Sequence, residues 1–277
     1  MIKQNESIQW YPGHMAKANR QIREKIKYID VIIEVLDARV PIASRNPDIR
    51  KYTEHKKHII LLNKADLADT RENEAWVEKL KAQGADEVLL NNAFDSRNKK
   101  QLVKTIRMLY ENKNKNIKCL ILGIPNVGKS TVINALVGKR KAQIGNKPGV
   151  TKGQQWLNTP DQLLLLDTPG ILWPKFDNKQ TGIHLACIGA IKETIFEKEN
   201  IAGDLIRFLC RYYPQSIENR YGIVVGEKMP YTVFEEIAET RKLLIKGGEY
   251  DYKRTAEVLL GDYKNGRLGR ITLERCS

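Results

Sequence analysis

The sequence predicts an α/β fold, in which a mostly parallel sheet has helices on both faces and a small all-α domain follows. Strands and helices alternate through the first 175 residues, and each strand is an unbroken apolar run. Such runs are typical of parallel strands that are buried on both faces. From about residue 180 the pattern indicates helices alone. Because 277 residues exceed the ~100–200 of a typical domain, we expect an α/β domain over residues 1–175 and a helical domain over residues 180–277.

The elements of the first domain follow one another in order. A basic amphipathic helix begins near Met15, the strand Asp30–Asp37 comes next, and a polar loop leads to a short helix near Pro47–His55. A second strand starts at Lys57 and ends in a polar loop. The further strands are predicted over Asp86–Asn91, Ile117–Leu122, Gln154–Asn158 and Gln162–Asp167, with helices over Glu72–Gln83, residues 97–111 and the residues before Gly138. In the second domain, helices are predicted over residues 181–198, 201–213, 231–246 and 251–261, with a short terminal segment.

Composition excludes several classes of protein. The four cysteines are far apart and include no C-x-x-C pair, which argues against a disulfide framework or a zinc site. No run approaches the ~18 apolar residues of a membrane span, and the N-terminus has no signal-peptide pattern. We therefore expect a cytoplasmic protein with reduced thiols and no membrane partner.

The net charge of +14 is unevenly distributed. Residues 1–60 carry 12 basic and 7 acidic side chains, and residues 117–170 carry 7 and 2. Part of this excess can balance the charge of a bound nucleotide, and the rest suits a polyanion such as RNA. A solvated basic surface without a partner is the alternative. The basic residues of the second segment include Lys139, Arg140, Lys141, Lys147 and Lys152.

The stretch Gly123–Ser130 reads GIPNVGKS and fits the P-loop pattern G-x-x-x-x-G-K-[ST]. It lies between a predicted strand and a predicted helix, which is the context that a P-loop requires. In such a loop, backbone N–H groups and the lysine surround phosphates, and the last hydroxyl binds Mg²⁺. A glycine-rich turn without a ligand is the alternative.

Two further motifs support a nucleotide site. Asp167 to Gly170 has the D-x-x-G form, in which the aspartate holds Mg²⁺ through water and the glycine N–H meets a γ-phosphate. Asn63 to Asp66 has the N-K-x-D form. A carboxylate at Asp66 can accept two hydrogen bonds from guanine, which adenine cannot donate; the asparagine can bond the base edge, and the lysine stem can lie along its face. Because all three motifs end predicted strands, where α/β sheets bind ligands, we predict a guanine-nucleotide site.

The order of the motifs is unusual, because N-K-x-D precedes the P-loop and D-x-x-G. A sheet tolerates this order if the usual chain ends are joined and a new break is opened elsewhere. The polar stretch Asn112–Asn116 would be the joining segment, and the break would follow Gly170.

With these motifs in this order, the chain resembles the ribosome biogenesis GTPase A (YlqF/RbgA) group of circularly permuted P-loop GTPases. The matching stretches are WYPGHMAKA, DARVPIASRNP, NKAD, GIPNVGKST, KPGVTKGQQW, DTPGIL and GRLGRITLE, and they span almost the whole chain. The resemblance implies a GTPase that binds the precursor of the large ribosomal subunit during late assembly and couples hydrolysis to release. We also expect a monomer.

The resemblance assigns roles to individual residues. Lys129 contacts the β- and γ-phosphates, Ser130 and Thr151 supply Mg²⁺ ligands beside Asp167, and Asn126 holds K⁺. Asn91-Asn92-Ala93 takes the place of a base-contacting Ser-Ala loop but lacks the serine. The expected GTP-binding residues are Asn63, Lys64, Ala65, Asp66, Asn91, Asn92, Asn126, Val127, Gly128, Lys129, Ser130, Thr131 and Gly170.

Catalysis is expected to need help from the ribosome. Many GTPases have a glutamine after D-x-x-G to orient the attacking water, but Ile171 stands there and cannot bond water. The resemblance implies that His14 reaches the γ-phosphate once the ribosome orders it; a capping or surface histidine is the alternative. Slow hydrolysis in isolation follows.

The helical domain is expected to recognise RNA through local basic patches, because its overall charge is small. Two other functions stay open at this point: a regulatory GTPase with a protein partner, and an RNA-binding scaffold that scarcely hydrolyses GTP. The candidate patch comprises Lys264, Arg267, Arg270 and Arg275.

Overall fold

The computed structural model describes residue 20 and residues 22–110, 116–138, 155–168, 178–191 and 197–276. Six strands form one sheet in the order β3-β2-β1-β4-β6-β5, and neighbours are parallel except β5, which is antiparallel to β6. The mostly parallel sheet predicted from the apolar runs is therefore confirmed. The strands are β1 Val31–Asp37, β2 Lys57–Asn63, β3 Glu87–Asn91, β4 Ile117–Leu122, β5 Gln155–Asn158 and β6 Leu163–Asp167.

Strand register brings the carboxyl ends of the central strands together. Asp37 at the end of β1 pairs with Asn63 at the end of β2, and Asn63 pairs with Asn91 at the end of β3. Every residue of β1 is buried, because neighbouring strands cover its edges and side chains from both faces cover its surfaces. A row of polar side chains thus ends a sheet whose interior is apolar.

Nine α-helices have both ends within the described residues, and residues 22–25 are helical as well. Asp69 and Asp95 cap two of them by accepting hydrogen bonds from the N–H groups of Arg71 and Arg97. Gly138 ends the helix after the P-loop in a left-handed conformation. The helices are α1 Arg50–Thr53, α2 Thr70–Ala82, α3 Ser96–Leu109, α4 Lys129–Val137, α5 Lys179–Cys187, α6 Lys198–Tyr212, α7 Pro214–Tyr221, α8 Pro230–Thr240 and α9 Tyr252–Lys264.

Several helix predictions for the second half were wrong. The predicted helix 181–198 ends at Cys187, because the chain turns at Gly189 with a φ of 70°. The helix Pro214–Tyr221 was missed; its proline stands at the first position, where a helix does not need the missing N–H. The predicted helix 231–246 ends at Thr240, and the expected terminal segment has no regular helix. The predicted N-terminal helix lies mostly outside the described residues.

One hydrophobic core joins the sheet to the C-terminal helices. Ile33 and Val35 of β1 belong to the same buried cluster as Leu209 of α6 and Leu259 of α9. The segment 267–276 then returns along the α/β half, where the N–H of Ile271 donates to the carbonyl of Leu67. The proposed boundary between residues 1–175 and 180–277 stays a prediction. None of the helices in the described ranges has the length and apolar character needed to cross a membrane.

Candidate functional site

The P-loop lies between β4 and α4, as its pattern predicts. Each of the two glycines of its pattern lies where a side chain would collide with a different neighbour. A Cβ at Gly123 would stand 2.5 Å from the carbonyl oxygen of Val35, and one at Gly128 would collide with the side-chain amide of Asn63. Both glycines also have positive φ values, 151° and 97°. The loop therefore needs these two glycines in order to lie against β1 and β2.

Lys129 is the first residue of α4 and is 7% exposed. Its Nζ donates to the carbonyl oxygen of Ile124 at 2.8 Å, within the loop itself. Burial lowers the pKa of Lys129 to about 8, although the nearby carboxylate of Asp167 acts in the opposite direction. A buried ammonium with so little compensation is suited to bind an anion such as phosphate.

Asp167 ends β6 and is 1% exposed. Among the described residues, neither of its carboxylate oxygens has a partner at full hydrogen-bond geometry. Burial raises its pKa, and Lys129 and the nearby amide of Gln155 oppose this effect. Thr168, the next residue, donates from Oγ1 to the carbonyl of Ile121 at 2.7 Å and so ties the end of β6 to β4. Two buried carboxylate oxygens of this kind, beside a phosphate loop, fit the aspartate that would hold a hydrated Mg²⁺.

The N-K-x-D motif is bonded directly to the P-loop. Nδ2 of Asn63 donates to the carbonyl of Val127 at 2.7 Å, and its Oδ1 accepts from Nδ2 of Asn91 at 2.7 Å. Lys64 has a left-handed backbone and donates to the carbonyl of Asn126 at 2.6 Å. Both side chains therefore position the P-loop, and their expected contacts with a guanine base stay predictions.

Asp66 lies in the short 3-10 turn Ala65–Leu67 that follows β2. Its side chain is exposed and has no hydrogen-bond partner within the described ranges. It is thus free to accept the two N–H donors of a guanine. Asn92, by contrast, bonds its own loop, because its Oδ1 accepts from the N–H of Phe94 at 3.0 Å.

The remaining predicted site residues divide into two groups. Ser130 and Thr131 stand in the first turn of α4 and are partly buried. His14, Thr151 and Gly170 lie outside the described residues, so their predicted roles stay predictions. The water-orienting position at Ile171 lies outside them too.

Sequence reasoning missed two charged residues at this site, Asp37 and Arg39. Both are fully buried, and the guanidinium binds the carboxylate through Nε and Nη2, at 2.9 Å each. Nζ of Lys64 donates to the same carboxylate at 2.9 Å. Because Asp37 ends a strand between β2 and β4, the rule that α/β sheets bind ligands at strand ends could have found it.

Comparisons with known proteins identify the family of the chain. A family model described as 50S ribosome-binding GTPase matches residues 118–219. The chain is 42% identical to ribosome biogenesis GTPase A of Bacillus cereus, over 96% of this chain and 93% of that protein. It is 32% identical to mitochondrial ribosome-associated GTPase 1 of Mus musculus, over 99% and 92%.

A solved structure supports the same family and also the fold. The crystal structure of GNP-bound YlqF from T. maritima is 31% identical and superimposes with a TM-score of 0.70, covering 94% of this chain and 99% of that one. The predicted GTPase fold, with its permuted order of motifs, is thereby confirmed. With such identities over nearly the full length of both proteins, the chain belongs to the ribosome biogenesis GTPase A family.

Proposed function

We propose that this protein hydrolyses GTP on the precursor of the large ribosomal subunit and so promotes its late assembly. The observation that carries the proposal is the direct bonding between the N-K-x-D motif and the P-loop, through Asn63 and Lys64. This bonding supports the proposal that Asp66, three residues after Asn63, reads the base of a nucleotide whose phosphates lie in the P-loop. Family membership supports the ribosomal partner. We also propose that the protein acts as a cytoplasmic monomer.

The base preference is tested by the change Asp66→Asn. An asparagine amide cannot accept both guanine donors, but it can accept the N1–H of xanthine and donate to the C2 carbonyl. We expect GTP to bind more weakly by about 1.5–3 kcal/mol, or roughly 10- to 150-fold, while XTP gains affinity. Titration with fluorescent GTP and XTP analogues measures both. Glu74→Gln, a change at an exposed carboxylate of α2, is the matched control and should alter neither. Unchanged GTP binding by Asp66→Asn would remove Asp66 from the site.

Some of the residues that we propose as metal ligands are among the described residues. Asp167 and Ser130 would hold Mg²⁺ together with Thr151, and the ion would neutralise charge on the phosphates during hydrolysis. Asn126 would hold K⁺ beside the phosphates. The supporting observation is the pair of carboxylate oxygens on buried Asp167, which have no hydrogen-bond partner in the described part of the chain. Turnover is expected to need Mg²⁺ and to be faster in K⁺ than in Na⁺ of equal concentration.

The chain's own residues supply only part of the chemistry. Lys129 stabilises the negative charge on the transferred phosphoryl group, and the backbone N–H groups of the P-loop orient it. Ile171 cannot orient water, and we propose that His14 does so when the protein is bound to the ribosome. His14→Ala should then keep normal GTP affinity and lose the stimulation by large subunits. A variant that retained full stimulation would exclude this role.

A basic face on α3 supports an RNA partner. Five residues of α3 are basic and none is acidic, whereas α2 has three of each. In the described part of the chain, Lys100 and Lys104 are exposed and have no carboxylate partner. A groove of about 650 Å³ runs between them and the turn at Asp161. Cations without internal partners are those that remain available to phosphates.

The C-terminal basic patch predicted from the sequence is less available to bind RNA than the basic face of α3. Arg267 binds Asp262, Arg270 donates to Thr70, and Arg275 lies 3.6 Å from Glu72. These arginines hold the segment 267–276 against the rest of the protein. Their proposed contact with RNA is therefore secondary to that of α3.

The RNA surface is tested by reversing Lys100 and Lys104 to Glu together. We expect weaker binding to purified large subunits and a salt dependence whose slope falls by about 1 for each phosphate that the variant no longer binds. Lys246→Glu with Lys253→Glu makes the same change of charge at exposed residues of the helical part and is the control. Equal losses in the two double variants would indicate a general charge effect and exclude a specific α3 contact.

A further inference from the structure

A buried ion cluster lies directly beneath the proposed nucleotide site. The carboxylate of Asp37 binds Arg39 on one side and Lys64 on the other. Burial alone would raise the pKa of Asp37, but the two cations hold it well below its usual range. The pKa of Lys64 is lowered by burial and by Arg39, and Asp37 opposes that effect. Two cations thus share one carboxylate, and displacing any member would leave a buried charge without compensation.

The cluster extends to the C-terminal helices through Arg39. Its Nη1 donates to the carbonyl of Tyr263 at 3.2 Å and to that of Lys264 at 3.1 Å. The guanidinium also lies over the ring of Tyr263, 5.2 Å from its centroid. The last carbonyls of a helix have no partners within the helix and carry partial negative charge. The positive charge of Arg39 at the C-terminal end of α9 is therefore a favourable interaction with the partial negative charge of these carbonyls.

A second contact reaches the P-loop from the same place. Nδ2 of Asn126 donates to the carbonyl of Gly189, just after α5. A Cβ at Gly189 would stand 2.5 Å from Nζ of Lys264. The turn after α5 and the end of α9 are thus neighbours. The turn contacts Asn126 directly, and the end of α9 is linked to it through Arg39, Asp37 and Lys64.

Both connections end on the same P-loop residue. The Gly189 contact holds the side chain of Asn126, while Lys64 holds its backbone carbonyl at 2.6 Å and is itself bound to Asp37. Asn126 has a φ of 64°, a left-handed conformation that asparagine adopts at some cost. Contacts from outside the loop therefore help to keep this conformation.

We propose that Asp37, Arg39 and Gly189 position Asn126, and that they couple guanine-nucleotide binding in the P-loop to the docking of α5 and α9. The proposal rests on the proposed function only in taking the P-loop as the nucleotide site. Because such coupling is reciprocal, a partner that moves these helices changes nucleotide affinity, and the nucleotide changes the helices. Asp37 and Arg39 act through Lys64 and are positioning residues.

The change Arg39→Lys tests this coupling. Lysine keeps the charge near Asp37 but loses the planar fork that reaches Tyr263 and Lys264. The control is Arg220→Lys, since Arg220 makes a comparable two-point contact to Asp262 of α9 at 2.7 and 3.1 Å, away from the P-loop. We expect Arg39→Lys to weaken GDP binding by a factor within the range of about 5 to 150 that is typical of coupled sites. Arg220→Lys should bind GDP as the unaltered protein does.

Hydrogen–deuterium exchange supplies a readout that a purely structural role would not change. GDP is expected to slow exchange at the P-loop, at residues 188–191 and in the last turn of α9. In Arg39→Lys the protection at α9 should disappear, while that at the P-loop persists. If GDP protects the P-loop of the unaltered protein but not α9, the coupling is excluded and the nucleotide site stands. If GDP protects neither, the proposed function itself fails.

A second variant covers the case in which Arg39→Lys does not fold. Asn126→Asp keeps a side-chain oxygen that can hold a cation but cannot donate to the carbonyl of Gly189. We expect residues 188–191 of this variant to lose the protection that GDP binding gives them in the unaltered protein. Protection equal to that of the unaltered protein would overturn the role of the Gly189 contact.

Discussion

Lys129 and Asp167 are buried close together, and each lacks the partners that a buried charge requires. The lysine bonds one carbonyl of its own loop, and neither oxygen of the aspartate has a hydrogen-bond partner among the residues that the structure describes. Desolvated groups of this kind are costly unless a ligand compensates them. The motif pattern identified both residues from sequence, because strand ends and spacing fix their place. Their burial depends on tertiary packing and could not be predicted.

The lowered pKa of Lys129 predicts a dependence of nucleotide affinity on pH. The free protein loses the Lys129 proton near pH 8, and a bound phosphate would favour the protonated form. We expect GDP affinity to be constant below pH 8 and to fall between pH 8 and 9, by at most about tenfold per pH unit. Titration calorimetry in two buffers of different ionisation enthalpy detects the proton that binding takes up.

The matched control for this prediction is Lys129→Arg, whose guanidinium stays charged across the range. Its GDP affinity should show only the pH dependence of the nucleotide itself. The free energy of unfolding of the free protein should rise with pH above 8, because the unfolded chain then holds the lysine proton that the folded chain has lost. Affinity that falls equally in both proteins would contradict the assignment.

Alanine substitutions at two glycines can distinguish the cost of backbone strain from the cost of a steric collision. Gly128 and Gly138 both have positive φ, but only at Gly128 would a Cβ meet another group, the amide of Asn63. Gly138→Ala should cost about 1–2 kcal/mol of stability and leave GDP affinity unchanged. Gly128→Ala should cost more and also weaken GDP binding, because it displaces Asn63 from Val127. Urea denaturation and GDP titration measure the two effects, and equal behaviour of the variants would contradict the packing described.

At the scale of elements, the segment 267–276 fastens the loop after β1. The carboxylate of Glu274 accepts from the N–H groups of Ile42 at 2.6 Å and Ala43 at 2.9 Å, and it contacts His184 of α5 at 3.1 Å. The indole N–H of Trp76 donates to the Glu274 carbonyl at 2.8 Å. This segment therefore connects α2, α5 and the loop that contains Arg39.

Removing this carboxylate should loosen the loop. We expect Glu274→Ala to lower the free energy of unfolding by about 1.5–3 kcal/mol, the value of a hydrogen bond to a charged group. Proteolysis or hydrogen exchange should show faster opening of residues 40–44. Glu227→Ala, at an exposed glutamate in the described part of the helical region, is the control and should change neither. An unaltered unfolding curve for Glu274→Ala would contradict the fastening role.

The strands were predictable from sequence and some of the helices were not. Unbroken apolar runs located β1 to β4 and β6 to within a few residues, because parallel strands that are buried on both faces are apolar throughout. The edge strand β5 is antiparallel to β6 and mostly exposed, and it has no such run. The region after residue 180 was harder, since short turns at Gly189 and Tyr213 interrupt patterns that otherwise continue as helices. The Arg39 contact with α9 spans more than 220 positions in the chain, and no local pattern contains it.

At the scale of the whole molecule, the sheet and the C-terminal helices share one hydrophobic core. Leu209 of α6 and Leu259 of α9 are fully buried in the same cluster as Val35 of β1. A shared core predicts a single cooperative unfolding transition. Leu209→Ala should destabilise the protein by about 2–5 kcal/mol and shift tryptophan fluorescence and helical circular dichroism together. Two separate transitions would show that the halves fold independently.

The central claim is that this site turns over GTP in response to the large ribosomal subunit. The direct test is the rate of GTP hydrolysis in K⁺, with and without purified large subunits, for the unaltered protein and for Asp66→Asn supplied with GTP or XTP. We predict slow turnover alone, faster turnover of GTP with subunits, and transfer of that stimulation to XTP in the variant. A GTP turnover that large subunits leave unchanged, or a variant that still prefers GTP, would contradict the claim.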